Sequence, residues 1–217
     1  MRATSLSILT SEHSLPVAAP ADSRLEIEFR GVAKHFPGRG KSAATLAVQG
    51  LDLAIRRGEV VSIIGPSGCG KSTLLNMGAG LYAPSEGEVR VGGERVSGPV
   101  RKVSFMLQKD LLMPWRSIRR NIELGLEIDG RAAGERRAIA EEMLEKCHLA
   151  GFAEHYPFQL SGGMRQRAAL ARTLATDPQV LFLDEPFSAL DAQTKMILQQ
   201  DLARMLCEQR KIGRAHV

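Results

Sequence analysis

The sequence predicts an α/β fold with a helical insertion, and three observations carry that expectation. An apolar run, Val60-Val61-Ser62-Ile63-Ile64, leads into Gly65-Pro66-Ser67-Gly68-Cys69-Gly70-Lys71-Ser72-Thr73 and then a helix-compatible segment to Leu81. A second apolar run, Val180-Leu181-Phe182-Leu183, ends in Asp184-Glu185. Between them lie residues 110–158, poor in β-branched side chains.

The first run fits G-x-x-x-x-G-K-[ST] in its required strand–loop–helix setting. Gly65, Gly68 and Gly70 let backbone N–H groups converge on an anion without Cβ clashes. The helix that follows points its positive dipole end at the same place. Lys71 supplies a cation for the outer phosphates, and the Ser72 hydroxyl is a ligand for Mg²⁺. Ahead of this unit, alternation at Leu25, Ile27 and Phe29, and again at Leu51, Leu53 and Ile55, predicts half-buried strands. Val89 and Val91 predict a short strand ending at Gly92-Gly93, and Val103 to Leu107 predicts a buried one. The first hundred residues therefore mix antiparallel strands with one phosphate-binding unit.

Arg136 to Leu149 reads as an amphipathic helix with Ile139, Met143, Leu144 and Cys147 on its packed face. Leu160-Ser161-Gly162-Gly163 opens a further helix running to Ala175, and Pro178 breaks it before the acidic strand. That strand delivers Asp184 and Glu185 at its C-terminal end, where α/β sheets place ligand chemistry.

Composition bounds the rest. The chain has 217 residues, 44% hydrophobic and 24% charged, as expected of one globular domain with an insertion. No apolar run approaches the ~20 residues needed to span a bilayer, and the first residues lack a secretory pattern; both point to the cytoplasm. The three cysteines have no repeated spacing and read as reduced thiols. The net charge of +5 comes from scattered basic pairs, so no nucleic-acid partner is expected. The five histidines show no paired ligand spacing, so no metal is expected beyond the Mg²⁺ of a nucleotide. Residues 1–24 are expected to be a disordered lead-in.

Five motifs, taken in order, resemble the ATP-binding subunits of ABC transporters across residues 25–210. They are the loop Gly65–Thr73, Gln108 at a strand end, the signature Leu160-Ser161-Gly162-Gly163-Met164-Arg165-Gln166, the strand Val180 to Pro186, and the turn Ser188-Ala189-Leu190-Asp191. The resemblance implies a P-loop NTPase (RecA-like) core, an antiparallel β-subdomain, a helical subdomain over about 109–158, and ATP with Mg²⁺. It implies Glu185 as the residue that polarises water, with Lys71 and Gln108 beside it. It implies Ser72, Gln108 and Asp184 around Mg²⁺. Ser161 and Gly163 would meet the γ-phosphate bound to a second subunit, with Gly162 and Asp191 among the nucleotide-binding residues, although Ser-Gly-Gly is also an ordinary helix cap. Phe36 falls where the family stacks an aromatic on adenine; a core or turn aromatic is the other reading. Cys69 is either a reactive thiol or an inert packing one.

Leu111 to Ile118 with Asn121-Ile122, and Pro186 to Ala192, are similar to the importers of nitrate, alkanesulfonates and taurine. That likeness implies permease subunits, a homodimer, a solute-binding protein acting indirectly, and a peripheral place on the cytoplasmic face of the inner membrane. Trp115 is either a contact to a membrane subunit or buried packing. The competing functions are a soluble ABC-type ATPase of DNA repair or translation, and a nucleotide-binding fragment without turnover. The family has a further strand and a histidine after the acidic strand. Residues 211–217 instead resemble translated adapter sequence, so the C-terminal part is expected to be missing. No strand is expected after Asp191, and Leu181 and Leu183 are expected to be poorly covered.

Overall fold

The structure, a computed structural model, describes residues 7–10, 24–38, 44–187, 190–208 and 213–216. They divide into two compact units, drawn from 1–103, 179–184 and 211–217 and from 104–178 and 185–210.

The first unit holds two sheets. β1 (Ser7–Thr10), β2 (Leu25–Phe36), β3 (Thr45–Arg56), β4 (Val60–Ile64), β5 (Glu86–Val91), β6 (Glu94–Arg95), β8 (Val180–Leu183) and β9 (Gly213–His216) build them, with α1 (Lys71–Gly78) after β4. β7 (Val103–Met106) begins at the unit's edge. The antiparallel sheet runs β3-β2-β5-β6. Its inner face carries Ile27, Phe29, Ile55, Val89 and Val91, all buried, as the alternation predicts. The other sheet sets β1, β4, β9 and β8 side by side, with β4, β9 and β8 parallel. Gln179 and Val180 both donate backbone N–H groups to the Lys102 carbonyl, just before β7. α1 approaches its neighbours through Gly78, where a Cβ would lie 2.6 Å from the Phe182 ring and 3.1 Å from that of Phe29.

Two expectations about the chain ends are overturned. Within the lead-in, Ser7–Thr10 is a strand, pairing antiparallel with Ile64 to Val61. Residues 1–6 and 11–23 lie outside the described residues. Gly213–His216 is also a strand, inserted in parallel between β4 and β8, with Ala215 opposite both Val61 and Phe182. All four residues of β8 are buried, Leu181 and Leu183 included. The physical reason is shared. β4 and β8 present main-chain donors and acceptors that must be satisfied once buried. An extended segment answers them with its backbone alone, so side-chain hydrophobicity is a poor guide to which segment enters. Residues 211, 212 and 217 lie outside the described residues.

Removing residues 211–217 is accordingly expected to destabilise the chain rather than leave it unchanged. Each lost ladder bond is worth about 1 kcal/mol net, and several go together, which lowers the melting temperature by roughly 10 °C. Ala215→Pro should reproduce most of that loss, because proline donates no hydrogen bond and breaks a central strand. Thermal melts of the three proteins read the effect, and identical curves would remove β9 from the sheet.

The second unit is helical. It contains α2 (Ile118–Ile122), α3 (Leu124–Ile128), α4 (Ala133–Lys146), a 3-10 turn (Pro157–Gln159), α5 (Gly162–Ala175) and α6 (Ala192–Glu208). It is larger than the expected insertion over 109–158, because α5 packs against α2, α3 and α4 and so belongs with them. α4 starts three residues before the predicted helix and buries Ala140, Met143 and Leu144; Cys147 follows, also buried. Ile139 is only half-buried. Among the described residues, no helix is long and apolar enough to cross a membrane.

Candidate functional site

The sequence-predicted residues fall in both units. In the first, β4 runs straight into the loop Gly65–Thr73. Gly70 caps α1 at φ +102, in the left-handed region that only glycine adopts without strain. A Cβ there would also lie 2.3 Å from the Ala47 carbonyl oxygen. No side chain caps α1, and its first turn contains no acidic residue, so its amino end is chemically suited to an anion. Lys71 Nζ donates to the carbonyls of Gly65 (2.8 Å) and Pro66 (3.1 Å), which holds the ammonium over the loop. Asp184 follows β8 and is buried. Its carboxylate and the Ser72 hydroxyl are both hard oxygen donors, the kind Mg²⁺ prefers. Among the described residues no cluster of His, Cys, Asp and Glu could cage a metal by itself.

Phe36 ends β2, half-buried. Its ring meets Tyr82 edge-on at 5.7 Å, and Lys34 Nζ sits 5.4 Å and 5.9 Å from the two rings. Tyr82 is a neighbour that sequence reasoning missed.

Cys69 Sγ lies 3.9 Å from Lys71 Nζ, and the residue is only half-buried. A maleimide is therefore expected to label Cys69, block nucleotide binding, and be held off by bound ATP. Equal labelling with and without ATP, read by mass spectrometry, would assign the thiol a packing role.

In the second unit, Gln108 Nε2 donates to Glu185 Oε2 at 3.1 Å. Glu185 has φ +47, a left-handed conformation that costs a residue with a Cβ. The loop after Gln108 is held by α5. Gln166 Nε2 donates to the Gln108 carbonyl (3.1 Å), and Arg165 Nε to Asp110 Oδ2 (3.2 Å). Arg172 donates to the carbonyls of Asp110 (2.6 Å) and Leu111 (2.7 Å). Burial pulls the Arg172 pKa below its ordinary value, with Asp110 opposing. Sequence reasoning missed Arg172, although it lies two helical turns beyond Arg165 and shares its face.

Ser161 accepts a hydrogen bond from Met164 N at 3.3 Å, so it does cap α5. Gly163 admits close approach of the next turn: a Cβ there would lie 3.1 Å from Leu190 Cδ2. Asp191 accepts from Thr194 N (2.9 Å), and its bonds with Thr194 hold its carboxyl below the usual range. Ser188 and Ala189 lie outside the described residues.

The Pro-Trp turn is pinned from within. Buried Asn121 accepts from Met113 N (2.7 Å) and donates to the carbonyls of Met113, Arg116 and Ser117. The result leaves Trp115 72% exposed, which overturns the buried-packing reading.

The family model for ABC transporters matches residues 48–188. The chain belongs to the ABC transporter family. It has the fold of the family's ATP-binding cassettes. It is 35% identical to a solved dimeric cassette, MJ0796, in a post-hydrolysis state bound to ADP and Pi, with a TM-score of 0.79 over 88% of this chain and 87% of that one. It is 42% identical over 188 residues to an uncharacterized ABC transporter ATP-binding protein, MJ0412, of Methanocaldococcus jannaschii, covering 87% of this chain and 70% of that protein. It is 47% identical over 154 residues to the taurine import ATP-binding protein TauB of Yersinia pestis, covering 71% of this chain and 60% of that protein. The chain thus spans 60% to 70% of the length of these two curated relatives.

Proposed function

We propose that the chain is the ATP-binding and hydrolysing subunit of a membrane importer for a small anion of the nitrate, sulfonate or taurine kind, working as one half of a dimer. The observation that carries the reading is the anion-shaped loop Gly65–Thr73, with Lys71 fixed over it and α1 capped by no side chain. The loop amides and Lys71 bind and orient the triphosphate. Phe36 stacks on the base. Ser72, Asp184 and Gln108 are the residues that would hold Mg²⁺, which neutralises charge on the phosphates when bound. Glu185, oriented by Gln108, polarises the water that attacks the γ-phosphorus. Ser161, Gly162, Gly163 and Asp191 complete the site of the partner subunit. That geometry needs two chains, and the solved dimeric MJ0796 cassette supports it. Trp115 is presented to a permease helix, and the chain sits peripherally on the cytoplasmic membrane face. The likeness to TauB supports the solute class.

Phosphate release from MgATP tests the hydrolytic half of this reading. Growth on taurine as sole sulfur source, in cells whose own taurine-import ATPase is deleted, tests the solute. Restored growth on an alkanesulfonate or on nitrate instead would move the assignment within the class. No rescue on any of the three would remove it.

A further inference from the structure

Residues 107–117 join β7 to α2 with no helix or strand of their own. The chain turns within them at Leu111, which has φ +45. A bulky side chain makes this left-handed conformation costly, so neighbouring contacts must hold it. Those contacts come from within the second unit. The Asp110 carboxylate reaches past Leu111 and accepts from Leu112 N at 3.1 Å. Its other oxygen is the one that accepts from Arg165. The Arg172 guanidinium then takes the backbone itself, with Nη2 on the Asp110 carbonyl and Nη1 on the Leu111 carbonyl. These carbonyls belong to the two peptide planes that meet at the Leu111 Cα. Fixing both planes fixes the φ and ψ between them.

Gln108 stands just upstream of this turn. Its carbonyl accepts from Gln166 of α5, and its own amide reaches Glu185. The stretch 108–111 is thus held at both ends by one helix, by Gln166 at the start and by Arg172 at the close. Downstream the hold is separate. Buried Asn121 pins the backbone at Met113, Arg116 and Ser117 without help from α5. Release of the Arg172 fork would therefore loosen residues 108–112 and leave the Pro-Trp turn in place.

We propose that Arg172 is a positioning residue for Gln108: its fork onto the two carbonyls that flank Leu111 sets the course of the chain from 108 to 111, and with it the reach of the Gln108 amide to Glu185. A planar guanidinium presents several donors in a fixed geometry and spans two acceptors at once. A lysine ammonium in its place keeps the charge but concentrates its donors at one point, and so cannot fix both planes. The effect on turnover rests on the roles proposed above for Gln108 and Glu185; the hold on the turn does not.

Arg172→Lys in the full chain tests this, with Arg172→Met beside it; the lysine variant decides if the methionine one does not fold. Hydrogen exchange resolved to single amides, without nucleotide, is expected to show Leu112 N about fivefold less protected, the worth of one ordinary hydrogen bond. Met113 N and Arg116 N, held by Asn121 and by the Met113 carbonyl, should keep wild-type protection. Unchanged protection at Leu112 overturns the proposal. So does an equal loss at all three amides, which marks general loosening. Phosphate release from MgATP reads the consequence. Arg172→Lys is expected to lower kcat about tenfold with KM for ATP unchanged, short of the roughly 10²-fold that a 1 Å misplacement can cost. Because Arg172 acts through Gln108, adding Arg172→Lys to Gln108→Ala should slow that variant no further. A wild-type kcat in Arg172→Lys, or losses that multiply in the double variant, would detach Arg172 from Gln108 and overturn the proposal. A wild-type chain that releases no phosphate ends the function proposed above, and the pattern of exchange at Leu112 then decides the hold by itself.

Discussion

Lys71→Ala is expected to abolish MgATP binding while leaving the fold intact. The lysine's polar contacts, two loop carbonyls and the Cys69 sulfur, all lie within its own motif, so its removal takes no hydrogen bond from the sheet or from α1. The bound triphosphate is different. It brings several negative charges into a loop whose other donors are backbone amides, and a desolvated anion left without its cation is costly. Truncating one member of a hydrogen-bonded charge pair typically costs 2–5 kcal/mol, so the dissociation constant should rise by roughly 100-fold or more. Calorimetric titration reads that change, and a thermal melt within about 1 °C of wild type rules out unfolding as its cause. Unchanged affinity would remove the loop from the nucleotide site.

The features legible in the sequence are those whose cause is local. Gly65–Thr73 could be read because its glycines, lysine and flanking strand and helix all lie within about twenty residues and share one physical purpose. The buried strand Val180–Leu183 could be read because four apolar residues in a row admit few other structures. α4 declared itself by period, and its C-terminal thiol is buried as the pattern expects. β1 and β9 were not legible, because main-chain pairing with β4 and β8 placed them and Gly-Arg-Ala-His carries no hydrophobic signal. Nor was the hold of α5 on the loop after Gln108. Arg172 reaches carbonyl oxygens, and a sequence does not say which carbonyls a distant arginine will find. The backbone of Glu185 was hidden for a related reason. Its residue type suggested chemistry, but nothing in the sequence marks the left-handed backbone it adopts after β8.

That conformation sharpens the second large effect. Glu185→Gln should leave MgATP binding intact, slow turnover by roughly 10²- to 10⁴-fold, the usual cost of losing a general base, and so let ATP-bound dimers accumulate. The amide matches the carboxylate in size and can still accept from Gln108 Nε2, so the geometry is kept and only the basic oxygen is lost. Strain does not confound the result, because glutamine pays the same left-handed cost as glutamate at φ +47. Glu185→Gly separates the two contributions. It should be at least as slow as the glutamine variant yet melt higher, since glycine relieves the strained turn. Single-turnover phosphate release gives the rate, and light scattering on a sizing column gives the mass with saturating ATP. A Glu185→Gln chain that stays monomeric while binding ATP would end the two-chain site that Ser161, Gly163 and Asp191 are proposed to complete. A Glu185→Gly chain that hydrolyses ATP at the wild-type rate would end the role of the carboxylate itself.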